Sequence, residues 1–291
     1  MLTREQLQAV RKIQIRTSHL VSDLFAGSYH TAFKGRGMEF AEVRPYLPGD
    51  EVRTIDWNVT ARSGDLHVKR FVEERELTVM LLVDASASTR FGSVRQLKHE
   101  LAAELSAVLA FSAISNNDKV GLVIFSDRVE LALPPRKGTR HVLRVIRDIL
   151  NHEPEGRGTD LKAALDWLNR VTHRRCVVFV VSDFLTDEPG KQLAVSARRH
   201  DLVAVVVEDP RERDLPSLGM LMLEDPETGE TVMVDTSDAK LRDAFSSERD
   251  RERAARDRSL RSAGIDSIIV TTGGDYAVAL LRFFRERGRR R

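Results

Sequence analysis

The chain has almost no cysteine, no excess of either charge and no long apolar run, and each absence removes a class of protein. A single cysteine, Cys176, in 291 residues excludes a disulfide framework and any cysteine-based zinc site. Lys and Arg (46) nearly balance Asp and Glu (44), which leaves a net charge of +2 and no electrostatic case for a dedicated nucleic-acid binder. The longest apolar runs, Val79–Val83, Val177–Val181 and Leu202–Val207, have the length of strands and fall far short of the ~20 residues a membrane helix needs. The opening MLTREQLQAVRKI lacks a continuous apolar stretch, so no secretory signal is predicted and the cytoplasm is the expected compartment. The eight histidines show neither H-x-H nor H-E-x-x-H spacing, which argues against a histidine-based metal or nucleophile site.

What is present reads as a globular chain, 42% hydrophobic and 31% charged. Residues 1–30 form an N-terminal helical segment, with a capping-box start at Thr3 and Gln6 and apolar positions at Leu7, Val10, Leu20 and Leu24. Residues 31–76 are rich in glycine and proline and predict a small turn-rich β element that includes a strand over Leu66–Val72. Gly35-Arg36-Gly37 reads as a tight turn, and Asp56-Trp57 as a turn carboxylate beside a packing aromatic.

From Leu77 to about residue 288, buried strands alternate with helices. Val94, Leu97, Leu101, Leu105 and Val108 mark one face of a long helix. Val120–Phe125 and Val129–Leu133, separated by Ser126–Arg128, predict an antiparallel hairpin. A second hairpin excursion spans about 215–236, a highly charged helix 238–262, and an Arg-rich tail, Arg285–Arg291, reads as a solvated end. The expected fold is α/β: a doubly wound, mostly parallel sheet with one antiparallel edge hairpin, preceded by the N-terminal helix and the small β element.

In such sheets ligands bind beyond the carboxyl ends of the strands. Three loops converge there. The first strand ends in Asp84-Ala85-Ser86-Ala87-Ser88, a D-x-S-x-S. The loop Gly156–Asp160 precedes a helix that Asp160 caps, which leaves the Thr159 hydroxyl free to point into the cleft. Asp183 follows the strand Val177–Val181. Two carboxylates and three hydroxyls are hard donors that suit Mg²⁺ (or Mn²⁺) better than zinc. Two negative charges leave a divalent ion electrophilic, with an open position for a carboxylate from outside. Arg90, Phe91, Arg157 and Phe184 lie in the same loops and predict an interaction rim for a partner.

The five residues Asp84, Ser86, Ser88, Thr159 and Asp183, in this order of elements, resemble the metal-ion-dependent adhesion site of von Willebrand factor type A domains. Upstream, Gly35-Arg36-Gly37-x-Glu39-Phe40, Arg44-x-Tyr46-x-x-Gly49-Asp50, Arg53-x-Ile55-Asp56-Trp57, Ala61-Arg62 and Val68-Lys69-x-Phe71-x-Glu73-Glu74 resemble the signature of the bacterial domain of unknown function 58 family. That resemblance implies a cytoplasmic, metal-dependent adaptor or chaperone-like partner of a MoxR-class AAA+ ATPase, with no established catalysis. Many longer relatives carry membrane helices before the signature, whereas no membrane span is predicted in this chain. The competing expectations are a metal-dependent phosphohydrolase in the same cleft and a metal-free scaffold. The hydrolase needs a general base or a second metal, and Ser86 stands where a D-x-D motif has its second Asp.

Overall fold

The computed structural model describes residues 8, 10–15, 17, 21, 26–33, 38–73, 76–94, 96–186 and 189–290. Described residues between 10 and 17 are helical, as expected, while Thr3, Gln6 and Gly35–Gly37 lie outside the described residues. Helix α1 (Ala26–Phe33) leads to an antiparallel pair, β1 (Met38–Pro45) and β2 (His67–Glu73), bridged by a short helix α2 (Trp57–Ser63).

The main sheet has the strand order β10-β7-β6-β3-β4-β5. Its strands are β3 (Thr78–Asp84), β4 (Lys119–Phe125), β5 (Val129–Arg136), β6 (Val177–Ser182), β7 (Asp201–Glu208) and β10 (Asp266–Thr271). All neighbours run parallel except β4 and β5, the expected antiparallel edge hairpin. The fold class is therefore the one the alternation of runs predicts. A separate hairpin, β8 (Met220–Glu224) and β9 (Thr231–Asp235), forms a two-stranded sheet of its own.

Successive residues of a strand face opposite sides, and the core divides accordingly. Val79, Leu81 and Val83 of β3 join one layer with α3 (Lys98–Ser115), α4 (Thr139–Asn151), α1 and α8 (Tyr276–Arg290). Met80 and Leu82 face the other, with Leu161, Leu165 and Leu168 of α5 (Leu161–Val171), Leu193 of α6 (Pro189–Ala197) and Leu260 of α7 (Ala239–Ser262). Among the described residues no helix is long and apolar enough to cross a membrane.

Four expectations need correction. Val94 and Leu97 are not on the long helix, which begins at Lys98. The preceding loop is held off helical geometry because the Ser93 N–H donates to the buried Asp209 carboxylate at 2.8 Å, and Glu100 accepts from the Leu97 N–H. Residues 57–63 are helical, because Asp56 accepts from the Asn58 and Val59 N–H groups as an N-cap. Trp57 is not a packing aromatic; it is 64% exposed. Finally, the Arg-rich end is helical to Arg290, and Arg287 is buried against Asp201 and Asp266.

Candidate functional site

The chain leaves β3 for β4 on one side and later returns to lay β6 on the other, so the sheet changes winding direction beside β3. The loops after β3 and β6 open there, and a crevice forms at such a switch point. Asp84 is the last residue of β3 and is buried. One carboxylate oxygen accepts from the Ser86 N–H at 2.9 Å, the other from the Ser182 hydroxyl at 2.6 Å. The chain then turns through a short 3₁₀ segment, Ala87–Arg90, which brings the Ser86 and Ser88 hydroxyls within 3.1 Å of each other, both buried.

The Gly156–Asp160 loop is brought alongside by backbone bonds. The Ala87 N–H donates to the Arg157 carbonyl at 3.0 Å, and the Asp160 N–H to Ser126 at 2.7 Å. Asp160 caps α5 as expected, accepting from the Ala163 N–H at 3.0 Å. Glu130 steadies the start of this loop, accepting from the N–H groups of Glu155 and Gly156. Burial opposes ionisation of Glu130, but bonds from Ser126, Gly156, Glu155 and His152 outweigh it and hold its pKa down at about 2. Thr159 is not free, as its place before the cap suggested. Its hydroxyl donates to Glu227, in the turn between β8 and β9, at 2.9 Å.

Asp183 is buried too. One of its oxygens accepts from the ammonium of Lys98 at 2.7 Å and the other from the Leu185 N–H at 3.2 Å. Lys98 is only 1% exposed and also binds Glu212. Burial pulls the Lys98 pKa down, but the charges of Asp183 and Glu212 more than offset it, so the ammonium is retained. Among the described residues no cation pairs with Asp84. Its pKa is pushed up to about 7, first by burial and then by the charge of Asp183.

The arrangement fits a hard divalent ion. Cis ligands on an octahedral Mg²⁺ with metal–oxygen bonds of 2.0–2.1 Å stand about 2.9 Å apart, close to the spacing of the two serine hydroxyls. Asp84 is a buried carboxylate whose charge wants a counter-ion, whereas Asp183 already has Lys98 on one oxygen. Asp84, Ser86 and Ser88 are thus the best-suited donors, with Thr159 and Asp183 at the margin.

Arg90, Phe91 (42% exposed) and Arg157 are exposed around these loops, as a rim requires. Phe184 is not part of the rim. It takes the left-handed conformation (φ 55°), which turns its ring into the core beside α5 and α6, where it is 3% exposed. Beside Asp84 and Arg90 opens a cleft of about 300 Å³, walled also by His99 and His152. Lys98, Glu212, Ser182 and Glu227 belong to the site although no local pattern marks them, since each reaches it by a tertiary contact. Cys176 is a packed thiol, raised to about 12 by burial, with His200 Nδ1 3.2 Å away.

The family model described as "Protein of unknown function DUF58" matches residues 42–255 of this chain. The chain belongs to the DUF58 family. A relative, the uncharacterized protein Rv1480 of Mycobacterium tuberculosis, is 33% identical over 284 residues, which cover 97% of this chain and 89% of the relative. The uncharacterized protein YeaD of Bacillus subtilis is 23% identical over 184 residues, 63% of this chain and 43% of that one. Among solved structures, an aerotolerance-related membrane protein from Bacteroides fragilis covers 73% of this DUF58 chain and 99% of its own, with 19% identity and a TM-score of 0.49. The SpRpn10 VWA domain covers 70% and 93%, with 11% identity and a TM-score of 0.39.

Proposed function

We propose that this DUF58 protein is a protein-interaction module that recognises an acidic side chain of a partner through a divalent ion, Mg²⁺ or Mn²⁺. Asp84, Ser86 and Ser88 hold the ion, and Thr159 and Asp183 complete its surroundings. The observation that carries the reading is the buried trio itself: one carboxylate with no cation paired to it among the described residues, and two hydroxyls 3.1 Å apart, at the switch point of the sheet. When bound, the ion supplies an electrophilic position that a carboxylate oxygen can fill. Ser182 and the Ser86 N–H orient the Asp84 carboxylate, Lys98 keeps Asp183 from adding a full charge, and Arg90 and Arg157 offer donors to the arriving acid.

Lys98 is held as an ammonium between two carboxylates, so it supplies no general base, and this favours binding over the phosphohydrolase reading. The partner we infer is a MoxR-class AAA+ ATPase in the cytoplasm; the support is the family signature. The decisive experiment is calorimetric titration of Mg²⁺ and Mn²⁺ into the wild type and Asp84→Ala, with the melting temperature followed in parallel. Saturable binding to the wild type is expected, with about 2.7 kcal/mol of added stability at a hundredfold excess over Kd. Asp84→Ala should remain folded and lose both effects. Equal metal responses in the two proteins overturn the assignment.

A further inference from the structure

Glu227 lies 68 residues from Thr159 in sequence, yet its carboxylate reaches the Thr159 hydroxyl at the margin of the candidate site. It stands in the turn Asp225–Glu230, and that turn is built to present it. The Asp225 side chain accepts from the N–H groups of Glu227 (2.9 Å) and Thr228 (3.4 Å). Gly229 takes a φ of +76°, open to glycine, and its N–H closes on the Asp225 carbonyl at 2.7 Å. One Glu227 oxygen accepts from the Thr159 hydroxyl at 2.9 Å. The other lies over Gly158, 3.8 Å from where a Cβ would stand. The Arg157 guanidinium comes equally close to a Cβ position on Gly229, so the turn rests on the loop that carries Thr159.

The rest of the hairpin has little to hold it. Met220, Met222, Val232 and Met233 are each more than half exposed, and β8 and β9 pair only with one another. A lone two-stranded hairpin is marginal in water. Its placement therefore depends on its root, where Thr236 bonds Leu218 and Gly219, and on the Glu227 contact at its tip.

A carboxylate oxygen 2.9 Å from the Thr159 hydroxyl also has the spacing of neighbouring oxygens around an octahedral ion, about 2.9 Å. We propose that Glu227 is a resident acidic ligand of the adhesion-type site, standing where a partner's carboxylate stands in the complex. This rests on the metal-dependent reading of that site. Partner binding is then an exchange of one carboxylate for another, and it releases the hairpin tip. Because the resident ligand is tethered, it competes at an effective concentration in the millimolar range. A free carboxylate displaces it only above that concentration, so a partner must add contacts of its own.

The test uses the full chain loaded with Mn²⁺ and reads metal-bound water by proton relaxation, with acetate as the carboxylate probe. Glu227→Ala changes an exposed turn and should melt with the wild type. It is expected to bind Mn²⁺ about tenfold more weakly, since affinity follows the charge of the ligand set. Its bound ion should carry one more exchangeable water, and acetate should lower the relaxation enhancement of the variant while leaving that of the wild type, which lacks this water, unchanged. If the wild type binds Mn²⁺, Asp84→Ala does not, and Glu227→Ala matches the wild type in affinity, hydration and acetate response, the resident-ligand proposal alone is wrong. If the wild type binds no Mn²⁺, the metal-dependent reading fails and takes this proposal with it.

Discussion

Asp118, just before β4, shows how a single buried charge shapes the stability of this chain. It accepts from the Leu77 N–H at 2.8 Å and the Tyr29 hydroxyl at 3.2 Å, tying α1 to the start of β3. Burial raises its pKa to about 6 in spite of both bonds. The folded chain thus holds this proton more tightly than the unfolded one. Its contribution is most favourable below the unfolded value near 4, declines as pH rises to about 6, and is constant above that. Asp118→Asn keeps an acceptor for Leu77 and removes the buried charge. Urea melts should show the variant gaining about 2 kcal/mol relative to wild type above pH 6, with the gain fading towards pH 4. A difference independent of pH would show that Asp118 does not titrate in this range.

At the scale of elements, α6 meets α7 through a glycine. A Cβ on Gly190 would stand 2.2 Å from the Ser259 carbonyl oxygen, a backbone atom that cannot swing aside. Gly190→Ala should therefore lift α6 from α7 at a cost of about 1–3 kcal/mol, read as a lower denaturation midpoint. An unchanged midpoint would mean that the two helices slide apart freely. The elements themselves were largely legible in the sequence. Continuous apolar runs such as Val177–Val181 can only be strands buried on both faces, and Leu161, Leu165 and Leu168 repeat at helical spacing. The three loops that carry Asp84, Thr159 and Asp183 followed from that alternation. What stayed hidden depends on distance in the chain. Lys98 reads as an ordinary first-turn lysine until α3 points it at Asp183, and Glu227 as a turn acid until the hairpin folds back on Thr159. Phe184 looked like a rim aromatic because one left-handed residue reverses where a side chain points, and no local pattern announces it.

Across the whole molecule, α1 and α8, near opposite ends of the chain, close on each other. Tyr29 and Phe33 of α1 stack edge-on with Phe284 of α8, and Phe33 reaches Phe179 in the middle of β6. Arg287 locks this corner. It lies 4.6 Å above the Phe33 ring and binds Asp201 at the start of β7 and Asp266 at the start of β10. Arg287→Met keeps most of the stem but takes the buried cation from Asp201 and leaves Asp266 only Arg290, at 3.4 Å, and should lower stability by about 3–5 kcal/mol. Restoring it by adding Asp201→Asn and Asp266→Asn would show that the loss came from the acids that Arg287 neutralises. A triple variant no more stable than the single one would place the loss in the cation–ring contact instead.

The strand order also governs what the ribosome exposes. β7, with its run Leu202–Val207, has β6 on one side, but its other edge is covered only by β10, about 60 residues later in the chain. At 5–20 residues per second, roughly 3–12 s of synthesis pass with that edge bare. An uncovered, valine-rich edge is a template for pairing with other chains. The stretch that separates the two strands, which includes the charged α7, emerges in that interval with Arg253 and Arg256 destined for Glu208 at the end of β7. A highly charged intervening helix thus adds charge to the nascent chain during the seconds when this valine-rich strand edge has no neighbour.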